Sequence, residues 1–241
     1  MKLIVAGSTG FVGTEIVRQA LSHPAITSVV GLARRPTPTP HNAGPHADTT
    51  KFKSVVCKDF NNYADDVKKE LAEADACIWL ISVTITRARS VTQEIAREIC
   101  LDYTMTGLDT MSQLSCGSKS KPFRFIYTSG AKSERDPSKS PWFMSDYLLL
   151  RGEVETQVLN YAKESGGVVE ACIAKPGLVD GQTGPIIRAL QTVGCYIIDM
   201  PRVEISEIAA ALIHQVVDGF DSDTLLNKDL VRIGQKVLVD Q

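Results

Sequence analysis

A doubly wound parallel α/β sheet with a small C-terminal elaboration is the fold class that this 241-residue chain predicts, and three observations carry the reading. Short apolar runs recur along the chain, each separated from the next by a long segment of helical periodicity. The first run feeds a glycine turn and then an amphipathic stretch. No internal repeat or interdomain linker interrupts the alternation. Strands that alternate with helices are joined by crossovers, so they pair in parallel and are covered on both faces.

The opening run, Lys2 to Ala6, leads into Gly7-Ser8-Thr9-Gly10-Phe11-Val12-Gly13. Gly7 suits a tight turn, Gly10 lets a diphosphate approach the backbone, and Gly13 lets the following helix, Phe11 to Leu21, pack against the strand. Free N–H groups in the first helical turn then face an anion. Glycines at this spacing mean little in isolation, but between an apolar strand and an amphipathic stretch they predict a bound dinucleotide.

Further strands are predicted at Ser28 to Ala33, Phe52 to Val56, Ala76 to Ile81, Phe123 to Tyr127 and Val168 to Ala174. Helical patterns lie at Asn62 to Ala74, Val91 to Gln113, Tyr147 to Lys163 and Ser206 to Val217. Between the second and third strands, Arg34 to Lys51 carries four prolines and reads as a surface loop. A polar stretch, Lys132 to Pro141, leads to Trp142-Phe143, which either line a substrate pocket or staple the next helix start. Met105, Leu108 and Met111 fall at helical spacing as core or as a subunit contact, compatible with a homodimer. The chain, 1–241, reads as one domain. In it, about 180–241 supplies the substrate side, Asp180 to Pro201 above all, at the carboxyl ends of the strands.

Charge and composition narrow the function classes. The 26 basic and 28 acidic residues leave a net charge of -2 with no basic stripe, so no nucleic-acid partner is expected. The six cysteines, Cys57, Cys77, Cys100, Cys116, Cys172 and Cys195, form no C-x-x-C and read as reduced thiols in an intracellular compartment. His23, His41, His46 and His214 make no metal-ligand spacing, so no metal is expected. The N-terminus lacks a secretory pattern, and no run of about 18 apolar residues predicts an integral membrane segment. A cytoplasmic protein acting on a small-molecule substrate is the expectation, with peripheral membrane attachment compatible.

Cofactor choice is decided at the end of the second strand. A carboxylate there would accept from free ribose hydroxyls, but the chain offers Arg34 and Arg35, whose guanidinium groups suit a 2′-phosphate and favour NADP(H). After the third strand, Asp59 either bonds the adenine amino group, with Phe60 packing on the ring, or caps the next helix. Ser82 and Val83, after the fourth strand, either run along the nicotinamide half of the cofactor or form a loop of small residues. Ser129 ends the fifth strand. Eighteen positions later, Tyr147 shares a helix face with Arg151. A phenol beside a fixed cation has its ionised form favoured, so proton exchange near neutral pH is expected, with Ser129 holding the same substrate oxygen. The bland reading makes Tyr147 a satisfied half-buried tyrosine and Arg151 a surface partner of Glu155.

These residues bring a resemblance into view. GSTGFVG at 7–13, the Arg34 region, Asp59, Thr128-Ser129, YLLLRGEVE from Tyr147 to Glu155, and Lys175-Pro176-Gly177-Leu178-Val179-Asp180-Gly181 resemble an atypical short-chain dehydrogenase/reductase. The resemblance is to the NmrA-like and Tat-interacting-oxidoreductase-like branch, in particular its small fungal members, and spans residues 1 to about 181. It implies a Rossmann fold and a catalytic set of Ser129, Tyr147 and Arg151, the arginine standing where the family has lysine. It also places Pro176-Gly177 beside the nicotinamide, unless they form only a turn. The activity implied is NADPH-dependent reduction of a small carbonyl or activated alkene, with Tyr147 as proton donor. A redox-inactive NADP(H) sensor and a non-redox isomerase or cyclase are the alternatives. Some of those fungal relatives are associated with the mitochondrial outer membrane, which gives the alternative location.

Overall fold

The computed structural model describes residues 1–40, 42–44, 46–115, 121–181 and 200–240. Strand β1 (Lys2–Ala6) lies inside the main sheet, between β2 (Ser28–Ala33) and β4 (Ala76–Trp79). Outward from β2 comes β3 (Phe52–Val56); outward from β4 come β5 (Phe123–Thr128), β6 (Val169–Lys175) and the short β9 (Thr224–Leu226). Every pairing is parallel, and Leu3 faces Val29 on one side and Ala76 on the other. The order β3-β2-β1-β4-β5-β6-β9 changes direction at β1. Crossovers on the two sides diverge there and leave a crevice at the carboxyl ends of the strands.

Period-two alternation along each strand feeds two cores. Leu3, Val5, Ile78, Ile126 and Cys172 pack against α1 (Phe11–Ser22), α6 (Ile205–Asp218) and α7 (Asn227–Val239). Ile4, Cys77, Trp79, Phe125 and Tyr127 pack against α2 (Asp65–Leu71), α4 (Tyr103–Ser115) and α5 (Ser145–Glu164). Close packing decides individual residues: a Cβ at Gly107 on α4 would lie 2.5 Å from the Trp79 ring. Leu108 and Met111 are fully buried and Met105 packs beside them, so this stripe is core. Helix α3 (Gln93–Arg97) runs into α4 through a π-turn, Glu98–Asp102, an insertion that often marks functional positions.

The six predicted strands and the helices lie where expected, with shifts of a few residues at their ends. Strand β4 stops at Trp79 rather than Ile81, and β6 runs one residue further, to Lys175. Two features differ from the sequence reading. The second half of the C-terminal region adds β9 and α7, and a separate two-stranded parallel ribbon pairs β7 (Leu178–Asp180) with β8 (Arg202–Glu204). Three-residue strands carry no periodicity to read. Of the expected substrate-side elaboration, residues 182–199 lie outside the described residues, as do His41, Cys116 and Cys195. Cys57, Cys77, Cys100 and Cys172 are buried free thiols.

Candidate dinucleotide cleft and active site

The glycine turn closes as its spacing requires. Gly7 sits at φ +92, a conformation L side chains rarely adopt, and its N–H donates to the Leu32 carbonyl at 2.8 Å. The Gly10 N–H donates back to the Gly7 carbonyl at 2.9 Å. A Cβ on Gly13 would run into that same carbonyl oxygen, so the helix packs on the turn only through glycine. No side chain caps α1 at Gly10, which leaves its first turn able to receive an anion. Ser8 has a different task from ligand contact: it is fully buried, and its hydroxyl pairs with Thr37 Oγ1 at 2.6 Å. The Thr37 N–H donates to Ser54 Oγ at 2.8 Å, so the start of the proline-rich segment is pinned to the glycine turn. Phe11 is 53 % exposed, and a Cβ on Gly181 would collide with its ring.

A cleft of about 350 Å³ opens at the point where strand order reverses. Gly7, Thr9, Gly10, Arg34, Arg35, Phe60, Ser82 and Val83 all line it, so eight of the residues singled out from sequence meet in one place. The cradle that a Cβ would fill and the open helix start fit a diphosphate. Arg34 and Arg35 are exposed at its rim, and neither forms a hydrogen bond or ion pair among the described residues. Asp59 is exposed, and its carboxylate accepts the Asn61 N–H at 2.8 Å and so caps a turn. One expectation is corrected. Phe60 is 1 % exposed and packed edge-on against Tyr63 and Trp79, so it floors the cleft rather than offering a face for stacking. Arg87, Ile99 and Tyr103 also line the cleft and were not singled out; Arg87 is a cation in the segment after β4, the one signal that pointed to it.

Tyr147 and Arg151 do lie together on α5. The Tyr147 hydroxyl donates to the Val83 carbonyl at 2.7 Å, and the Val83 N–H donates to Cys100 Sγ at 3.4 Å from the π-turn. Arg151 is 3 % exposed, lies over the Tyr127 ring at 5.0 Å and donates to the Thr128 carbonyl at 2.7 Å. Its Nε and Nη1 find no acceptor among the described residues. Both atoms are buried and Arg151 is not part of the cleft lining, so its charge acts on the neighbouring Tyr147 phenol. The expected lowering of the tyrosine is overturned: burial raises the Tyr147 phenol above its ordinary value, and the neighbouring Arg151 offsets only part of that. Met144, the residue that precedes helix α5, sits at φ 47 with no side-chain cap, a strained start three residues before Tyr147.

Ser129 is not free to hold a substrate oxygen as a donor. Its hydroxyl donates to Glu155 Oε1 at 2.6 Å, and Ser133 Oγ lies 3.0 Å away. Glu155 is fully buried, and its Oε2 accepts from Arg135 Nε at 2.6 Å and Lys175 Nζ at 2.9 Å. The surface pairing of Arg151 with Glu155 is therefore absent; the two residues sit inside, one turn apart, with separate partners. Gly152 makes this possible, because a Cβ there would collide with the Glu134 carbonyl where the loop carrying Ser133 and Arg135 crosses α5. Pro176 and Gly177 lie at the end of β6 and line none of the cleft. The Pro176 carbonyl accepts from Ala131 N–H at 2.8 Å and the Gly177 N–H donates to Asn227 Oδ1 at 2.8 Å, so both tie strand ends together.

The profile of the NAD dependent epimerase/dehydratase family matches residues 3–186. Two fungal proteins named "Protein FMP52, mitochondrial" are similar in sequence. The one from Candida albicans is 27% identical over 182 residues, covering 76% of this chain and 69% of the relative. The one from Coccidioides immitis is 25% identical over 181 residues, covering 74% and 65%. The chain thus spans about two thirds of their length. Among solved structures, DesIV from Streptomyces venezuelae, a dTDP-glucose 4,6-dehydratase with NAD bound, superimposes with a TM-score of 0.67 at 17% identity, over 99% of this chain and 81% of that one. The likeness confirms the fold. The expected NmrA-like branch finds no support in these matches.

Proposed function

The chain belongs to the NAD dependent epimerase/dehydratase family, and from that premise we propose that it is a nicotinamide-dinucleotide-dependent oxidoreductase in which Tyr147 is the proton donor to a carbonyl or activated alkene. One observation carries the reading: the Tyr147 hydroxyl reaches Val83 in the wall of the dinucleotide cleft, 2.7 Å from its carbonyl oxygen. A bound cofactor supplies the hydride. Tyr147, kept protonated by burial, delivers the proton to the substrate oxygen in place of the Val83 carbonyl. The phenolate that remains is held by the buried Arg151, which keeps its charge and has Nε and Nη1 available. Arginine can fix charge and hydrogen-bond ribose hydroxyls but does not relay a proton, so Tyr147 regains its proton from solvent. Ser129 is not a donor to the substrate in this reading, since its hydrogen is committed to Glu155.

NADP(H) is the cofactor of this reading, supported by Arg34 and Arg35 at the rim with no carboxylate partner among the described residues. A mitochondrial location is supported by the names of the fungal relatives. Among the described residues no helix is long and apolar enough to cross a membrane. A second reading, an NADP(H)-binding sensor without turnover, is favoured by the occupied donors of both Ser129 and Tyr147.

The test is Tyr147→Phe, assayed by NADPH fluorescence titration and by NADPH oxidation with aldehydes, ketones and enones. Retained binding with oxidation lost identifies Tyr147 as the donor. Unchanged oxidation removes it from the mechanism, and tight binding with no oxidation by the native protein selects the sensor.

A further inference from the structure

Tyr147, whose hydroxyl reaches Val83 of the dinucleotide cleft, itself lines a second cavity of about 300 Å³, between the α3 start and the α5 start. It meets the dinucleotide cleft at Val91, which lines both. A reacting group held in it is therefore placed beside the cofactor and against the phenol. The described lining is chiefly hydrocarbon: Ala88, Val91, Ala96, Met144 and Leu150. Thr92, Gln93 and Ser145 add neutral polar groups, and Asp146 is the one charge among the described lining residues.

We propose that this cavity takes a compact, uncharged, largely apolar carbonyl compound and rejects nucleoside-diphosphate sugars. The inference rests on the oxidoreductase reading for the placement of the reacting group, but its argument is the cavity's own chemistry. At about 300 Å³ the space is at the small end of ligand pockets. A diphosphate needs cations or clustered N–H donors, and the wall presents a carboxylate instead. Among the described residues the nearby guanidinium groups do not serve this cavity: Arg97 forms two hydrogen bonds with Glu153 at 2.8 Å, Arg89 lies over the Phe143 ring at 5.3 Å, and the buried Arg151 is not part of the lining. Arg87 belongs to the dinucleotide cleft. An anionic substrate would lose its hydration against carbon atoms and gain no opposite charge.

The experiment uses the full chain with NADPH and three probes: benzaldehyde, 4-carboxybenzaldehyde and UDP-glucose. Benzaldehyde is expected to be reduced with a kcat/KM about tenfold above its carboxylate analogue, because a carboxylate is desolvated beside Asp146. In Asp146→Asn that preference falls to about threefold, the share an exposed carboxylate can contribute. Gln93→Trp, an exposed substitution in the cavity wall, abolishes benzaldehyde turnover while NADPH affinity and melting temperature stay unchanged. Binding of benzamide, a neutral carbonyl compound that is not reduced, is measured by calorimetry with NADP(H) present. If benzamide binds and Gln93→Trp removes it while no aldehyde is reduced, the cavity assignment stands and the oxidoreductase reading falls. UDP-glucose binding that Gln93→Trp removes overturns the proposal, and so does failure of both benzaldehyde and benzamide to bind.

Discussion

Replacing Glu155 by leucine removes a carboxylate that is fully buried and holds three donors at once: Ser129 Oγ and Arg135 Nε at 2.6 Å, and Lys175 Nζ at 2.9 Å. The three do not suffer equally. Arg135 has a side chain about one third exposed and can turn to water, so its share is small. Ser129 retains Ser133 at 3.0 Å. Lys175 carries the cost: its side chain is 10% exposed and keeps only the Ser133 carbonyl, at 2.8 Å. An uncompensated buried charge costs about 3–5 kcal/mol. For a chain of this length, that lowers the melting temperature by roughly 10 °C. Circular dichroism during thermal and urea unfolding reads the loss. The decisive comparison is Glu155→Leu with Lys175→Met, which removes both charges and leaves apolar groups of similar volume. The double variant is expected to recover at least half of the loss, because a buried ion pair and a packed apolar pair are close in free energy. A cost below about 1 kcal/mol for Glu155→Leu, or a double variant no more stable than the single, would refute the assignment of the cost to buried Lys175.

Three further outcomes follow from the same geometry. Gly13→Ala places a methyl group against the Gly7 carbonyl and within 2.9 Å of Ser8 Cα, both backbone atoms. NADPH affinity is expected to fall more than about tenfold and stability by roughly 1–3 kcal/mol, read by fluorescence titration and thermal melts. Burial raises the Tyr147 phenol above its ordinary value of about 10, so the protonated donor persists below that pH. Reductive kcat should stay level from about pH 6 to 9 and fall only in stronger base, whereas a falling limb near neutrality would contradict the buried phenol. Burial lowers the His23 imidazole, helped by Lys51 and His214 and opposed by Asp218, so the folded state binds fewer protons than the unfolded one. That contribution to stability is complete above the unfolded value of about 6.5 and is lost as pH falls toward the folded one. His23→Gln should flatten the melting temperature between about pH 5 and 7 relative to the native chain.

Much of the scaffold was legible because its signals are local. Gly7 and Gly13 state a backbone conformation and a close approach within seven residues, and the structure uses both of them so. The Tyr147–Arg151 spacing places both on α5 by helical geometry alone. The short β7, β8 and β9 escaped because three residues hold no period. Trp142, for which two uses were open, is 80 % exposed and lines a cavity of about 460 Å³ with Phe143 and Leu148, a placement set by the loop before α5 and not by local periodicity.

The sequence by itself determined the order of the first six strands and the helices between them, the glycine cradle and the face on which Tyr147 and Arg151 stand. Each is a property of a short stretch of backbone, set by periodicity, chirality and the absence of a Cβ. Only the tertiary structure decided what those side chains do. The donor of Ser129 is taken by Glu155, which in turn gathers Arg135 from a loop and Lys175 from β6, residues 20 positions away on either side. The tyrosine's proton affinity moves up instead of down because burial around α5 outweighs one nearby cation. Partners and desolvation depend on which distant segments are packed together, and no local pattern encodes that.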